Sequence, residues 1–121
     1  MKRFRKTFIR AGLDALYFSG AHVWLRPIFA GLGAIFTLHH VRPRRDAEFQ
    51  PNCHLEVTPE FLREMLTHLR AHEIEIITLD EMHRRLIEGN FSQRFACFTF
   101  DDGYRDNRDF ALPVMLSLIH I

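Results

Sequence analysis

Long apolar runs are missing from this chain, which excludes a simple membrane-spanning helix. The stretch from Ala11 to Leu25 is interrupted by Asp14 and closed by Arg26-Pro27, and Pro27 to Leu38 is too short to cross a bilayer. Cysteine is scarce. Cys53 and Cys97 stand far apart and form no C-x-x-C, so neither a zinc ribbon nor a dithiol redox centre is expected, and both read as reduced thiols. Tryptophan occurs once, leaving twelve phenylalanines as the main aromatic of the core. The basic N-terminus lacks the interleaved aromatics of a single-strand binder, so nucleic acid is not an expected partner. Repeats, low-complexity tracts and Gly/Ser-rich linkers are also absent.

What is there fits one ordinary α/β domain. The 121 residues are 47% hydrophobic and 26% charged, as in soluble globular proteins. The net charge of +1 hides an asymmetry: nine Lys/Arg against the single acid Asp14 between Met1 and Arg45, and an acidic remainder. Residues 1–30 therefore read as a basic helical segment whose Lys2, Arg3, Arg5, Lys6 and Arg10 form a solvated face, with peripheral contact to an anionic membrane as the alternative. The apolar segment behind them is weak and lacks a small-x-small cleavage site, so a secretory leader is not expected and the cytoplasm is.

Periodicity supplies the elements. Phe8, Ile9, Leu13, Leu16 and Tyr17 fall near one face of a helix from Arg5 to about Ser19, ended by Gly20. Leu32 to Leu38 reads as a buried strand, followed after His39-His40-Val41 by a polar loop to about Val57. Thr58-Pro59 starts a helix with an N-cap hydroxyl and proline at the first position, and Phe61, Leu62, Met65, Leu66 and Leu69 form its apolar stripe. Glu75 to Ile77 is a brief strand. Thr78-x-x-Glu81 has capping-box spacing, so a further helix starts there, with Met82, Leu86 and Ile87 as its buried side and Gly89-Asn90 as its stop. Phe95 to Phe100 is the next strand. Asp106 to Leu116 is a helix whose regularity Pro113 limits. Strands and helices alternate, which predicts a parallel sheet covered by helices.

Chemistry concentrates in Phe98-Thr99-Phe100-Asp101-Asp102-Gly103. Two adjacent carboxylates stand where a buried strand ends, and ligand sites of α/β proteins lie at the carboxyl ends of strands. Charges there need a partner, solvent or a cation, and two carboxylates with separate tasks suit metal-assisted hydrolysis. A zinc site would need further ligands, usually His. His68 and His72 have helical ligand spacing but lie on the Pro59 helix, before the carboxylates, and read as surface residues. Arg105 is expected to pair with Asp106 or to screen the dyad, and Asp80 and Glu81 to serve the helix start.

The run from Phe98 to Tyr104 resembles the first motif of the polysaccharide deacetylases, the nodulation-protein-B (NodB) homology group, and Leu38-His39-His40-Val41-Arg42-Pro43 resembles that group's first strand. The resemblance covers roughly residues 36–115. It implies the N-terminal part of a distorted, incomplete (β/α) barrel, over residues 31–115, and removal of N-acetyl groups from chitin-like, N-acetylglucosamine-containing carbohydrate with a divalent metal, zinc first. It further implies Asp101 as catalytic base, Asp102 as metal ligand, and His39 beside the substrate. The group's H-x-x-x-H ligands and its later general-acid histidine would follow the TFDDG strand, and no such motif follows it here. The chain accordingly reads as an inactive fragment. Residues 116–121 resemble the translation of a sequencing-adapter read-through and are expected to be non-native, which makes His120 a poor ligand.

A partial barrel implies an unpaired sheet edge and marginal solubility, with Phe95, Cys97 or Phe98 exposed on the inner face. The alternative class is a receiver-like signalling module, which also holds a cation on an acidic pair after a strand. It needs a later phosphoacceptor Asp and a Lys, and lysine ends at Lys6.

Overall fold

The structure is a computed structural model and describes residues 2–118, with Lys2 and Arg3 by backbone alone. It falls into two units, residues 2–31 and 32–118.

The first unit is helical. α1 runs Lys2–Phe18 and ends where Gly20 takes φ +70°, its N–H donating to the Tyr17 carbonyl at 3.1 Å. Two single-turn helices follow that the sequence pattern had not suggested, α2 (Ala21–Trp24) and α3 (Arg26–Phe29), the latter with Pro27 in its first turn. His22 stacks on Tyr17. No residue whose side chain is described in this unit is buried.

The second unit is a parallel α/β layer. Its elements are β1 (Gly33–Leu38), β2 (His40–Val41), β3 (Glu56–Val57), α4 (Pro59–Ala71), β4 (Glu75–Ile76), α5 (Leu79–Glu88), β5 (Phe95–Phe100) and α6 (Leu112–Leu118), the last continuing a π-helical stretch at Asn107–Ala111. The main sheet has the order β1-β5-β4, all parallel. β1 and β5 pair in register from Gly33 with Phe95 to Leu38 with Phe100, so their carboxyl ends lie side by side. The loop expected between Val41 and Val57 contains a small second parallel pair, β2 with β3.

Thr58 and Thr78 cap α4 and α5 as the sequence suggested, their hydroxyls accepting from the N–H groups of Phe61 and Glu81. The π stretch lies just before Pro113, whose missing N–H removes a rung from the helical ladder. Leu62 and Leu66 of α4, Val41, Ala111 and Val114 form the core, all within 4% of full burial. Phe98, Phe100 and Leu118 pack against it. Leu118 thus belongs structurally to α6, while residues 119–121, including His120, lie outside the described residues.

Four expectations need correction. Phe95 and Cys97 are buried, at 6% and 0% exposure, because β5 is the central strand. The apolar residue left open on that side is Ile35 of the edge strand β1, 51% exposed, while Phe98 is half-buried and stacks on Phe36. Leu86 and Ile87 of α5 are exposed, and no residue of that helix is buried. α5 is tethered by charge instead: Arg85 forks onto Glu75 at 2.7 and 3.0 Å and also reaches Glu81. Glu81 therefore does more than start the helix. It also pairs with Arg84, and these two guanidiniums hold its carboxyl at about 2. Phe61 of the α4 stripe also faces solvent, at 53% exposure. Among the described residues no helix is long and apolar enough to cross a membrane.

Candidate catalytic site

The parallel ladder of β1 and β5 delivers two short segments to one end of the sheet. Asp101 extends the ladder, its N–H donating to the Leu38 carbonyl at 2.8 Å. His39, the residue after β1, places its Nε2 3.8 Å from the Asp101 carboxylate. That distance is an ion-pair approach rather than a hydrogen bond. Both side chains remain open to water, at 31% for His39 and 51% for Asp101.

The chain then turns sharply. Asp102 and Gly103 take φ +64° and +58°, the sign pattern of a type I′ turn, in which Asp-Gly is a favoured pair. Asp is among the few non-glycine residues that tolerate this region. The turn sets the Asp102 carboxylate beside the Tyr104 phenol, and its charge pushes the phenol's pKa up, with smaller contributions from burial and from Asp106.

Beneath the dyad lies a polar network that sequence reasoning missed. The His40 Nδ1–H donates to Asp106 at 2.7 Å, with both side chains nearly buried, and Tyr104 stacks on the His40 ring at 3.8 Å between centroids. Asn107 donates from Nδ2 to the His39 carbonyl at 3.0 Å. Arg42 approaches Asp106 at 3.6 Å and donates to Glu56, which also accepts from Arg45. These two arginines hold the Glu56 carboxyl at about 2, against the opposing effect of burial, and Glu56 raises Arg42 in turn. Arg105, expected to pair with Asp106 or to screen the dyad, is exposed and forms no ion pair among the described residues; His40 and Arg42 already occupy the Asp106 carboxylate. The available signal was Asp106-Asn107 itself, one helical turn beyond Asp102.

Asn107 and Asp106 thus pin the backbone and ring of the β1 end, which fixes where His39 stands relative to Asp101. Three polar atoms of this layer, Arg42 Nε, Asp106 Oδ1 and Asn107 Oδ1, are buried without a partner among the described residues.

The donor set does not by itself make a zinc site. Among the described residues no group of three or more His, Cys, Asp or Glu is gathered as ligands. Asp101 faces one histidine and Asp102 faces Tyr104. His68 of α4 and His72, its C-cap, are exposed and lie ring to ring at a tilt, the His72 Nδ1–H bonded to the His68 carbonyl, and among the described residues they gather with no third ligand.

No family model matches the sequence, and no curated protein matches it in sequence. Solved structures do match in fold. Streptococcus pyogenes deacetylase PplD in complex with acetate superposes with a TM-score of 0.56 at 18% identity, over 69% of this chain and 37% of that one. A de-N-acetylase from Aggregatibacter actinomycetemcomitans gives 0.58 at 12% identity, over 71% of this chain and 34% of that one. The fold is deacetylase-like. The chain spans about a third of the length of either neighbour.

Proposed function

We propose that residues 32–118 carry the first part of the active centre of a metal-dependent carbohydrate N-deacetylase of the polysaccharide deacetylase type, on the opening strands of a (β/α) barrel. The observation that carries this reading is the Asp101-Asp102 pair at the carboxyl end of β5, with His39 of the neighbouring strand 3.8 Å from Asp101, on a deacetylase-like fold. In this reading Asp101 is the general base. It is half open to water, and it takes the proton of the water that attacks the acetamide carbonyl. The C–N bond breaks to give acetate and a free sugar amine. His39 flanks the base on one side, 3.8 Å away, and would contact the substrate. Asp102 would be one ligand of a divalent cation, zinc first, which when bound supplies Lewis-acid chemistry. Its other ligands would come from outside the described residues.

The gene's reading frame past codon 115 is expected to continue into an H-x-x-x-H motif. Protein containing that motif is expected to release acetate from N-acetylchitooligosaccharides, and Asp101→Asn to lower the rate about 10²–10⁴-fold. The 121-residue chain alone is expected to release none. Undiminished turnover by the Asp101→Asn form would falsify the assignment of the base, and phosphorylation by acetyl phosphate would favour the receiver-like alternative.

The N-terminal unit suggests a second contact. It carries Lys6 and Arg10 together with exposed Phe4, Phe8, Trp24 and Phe29, the composition of an interfacial helix on an anionic membrane, here in the cytoplasm.

A further inference from the structure

After β2, the loop that enters β3 and the start of α4 line a half-open cavity of about 600 Å³. Its walls include three guanidiniums, Arg42, Arg44 and Arg45, and one carboxylate, Glu56. Arg42 and Arg45 both spend a donor on the same Glu56 oxygen. Arg44 forms no ion pair among the described residues and is exposed. The balance inside the cavity is therefore cationic, with most guanidinium donors unspent. The loop that carries these arginines is braced: Gln50 donates to the carbonyls of Arg45 and Ala47 at 2.8 and 2.9 Å. Across from them stand Thr58 and Phe61, the latter 53% exposed although it belongs to an otherwise apolar stripe.

The Arg44 fork, and the donors of Arg45 that Glu56 leaves unspent, match the two oxygens of a carboxylate or phosphate. An open aromatic face beside them suits the apolar face of a sugar ring. We propose that this cavity binds an acidic sugar, Arg44 and Arg45 taking its carboxylate or phosphate group and Phe61 its ring. Arg42 joins this cavity to the candidate catalytic site, since the same side chain meets Glu56 in one and Asp106 in the other. The sugar half of the assignment deepens the carbohydrate reading above and rests on it; the anion half stands on the cavity alone.

The test is equilibrium binding to the 121-residue chain, followed by calorimetry and by the arginine side-chain N–H signals in NMR spectra. The probes are glucuronate, glucose 6-phosphate, inorganic phosphate and glucose. Both acidic sugars are expected to bind at least tenfold more tightly than glucose, to shift the Arg44 and Arg45 signals, and to weaken with added salt. Whichever acidic sugar binds more tightly identifies the anion source. Arg44→Gln is expected to weaken both about five- to tenfold, and Arg105→Gln, outside the cavity, to change neither. Phe61→Ala is expected to weaken glucuronate and leave inorganic phosphate unchanged. Acidic sugars that bind no better than glucose, or an Arg44→Gln form that binds them as well as the parent, would overturn the proposal. An unchanged glucuronate affinity in Phe61→Ala would overturn its sugar half. Failure of acetate release by the extended protein leaves these outcomes untouched, so the two readings fail separately.

Discussion

Residues 2–31 and 32–118 contain similar amounts of apolar side chain per residue and use it in opposite ways. In the second unit Leu62 and Leu66 are fully buried against Val41 and Val114. In the first, Phe4, Phe8, Phe18 and Trp24 are each at least 80% exposed, and none of the described side chains is buried. A helix needs a partner surface before its apolar residues stabilise it, and single short helices are marginal in water. The second unit has that surface in a three-stranded parallel sheet, whereas the first is three helices in sequence, two of them one turn long.

The sharpest way to break this comparison is a matched pair of truncations. Leu66→Ala is expected to cost about 2–5 kcal/mol, read as a lower midpoint in urea, because it opens a cavity in the core. Leu13→Ala, at a position 62% exposed, is expected to stay within about 0.5 kcal/mol. Equal losses would show that Leu13 is held as tightly as Leu66.

A glycine pair sharpens it further. A Cβ at Gly33 would meet both the ring and the carbonyl oxygen of Phe95 at 2.6 Å. Because backbone cannot yield as a side-chain tip can, Gly33→Ala is expected to destabilise by about 1–3 kcal/mol. At Gly12, inside α1, an added Cβ meets nothing within 4 Å. Gly12→Ala is expected to favour the helix by up to about 1 kcal/mol, measurable by circular dichroism.

The acid response is a smaller effect. The folded pKa of Glu56, about 2, lies below its ordinary 4.5, so its contribution to stability is complete above pH 4.5 and is lost as pH falls from there toward 2. Glu81 shares that window. Glu56→Gln is expected to lower stability at pH 7 and to flatten the decline below pH 4.5, seen in thermal midpoints at pH 7, 4.5 and 3. Parallel wild-type and variant curves would remove Glu56 from the account.

Smallest in free energy is the behaviour of a peptide of residues 2–31. It is expected to be weakly helical in buffer and to gain helicity with phosphatidylserine-containing vesicles, but little with neutral ones. Equal helicity in all three conditions would mean that the unit needs no covering surface.

Much of the fold was legible because its signals are local. The Thr58 and Thr78 caps, Pro59, the Gly20 and Gly89 stops and the apolar run of β5 each act within a few residues. The acidic dyad was legible for the same reason, standing where an apolar run meets a glycine. The burial of α5 was not. Met82, Leu86 and Ile87 have the right period, but a period says only that a face exists, and β4, only two residues long, offers little sheet for that face to cover. Neither was the role of Arg42, whose partners Glu56 and Asp106 are reached through different turns of the chain.

Sequence by itself determined where α1, α4, α5 and β5 start and stop to within a few residues, and that two carboxylates would stand at the mouth of the last strand. Tertiary structure alone decided that His39 would face one of them, that His40 would be held by Asp106, and that three arginines would share a cavity with one carboxylate. The physical reason is the parallel ladder, which sets residues 62 positions apart side by side, as Thr37 and Thr99 show through their hydroxyl bond at 3.0 Å. No local pattern encodes such a register. It follows from which faces can be buried together.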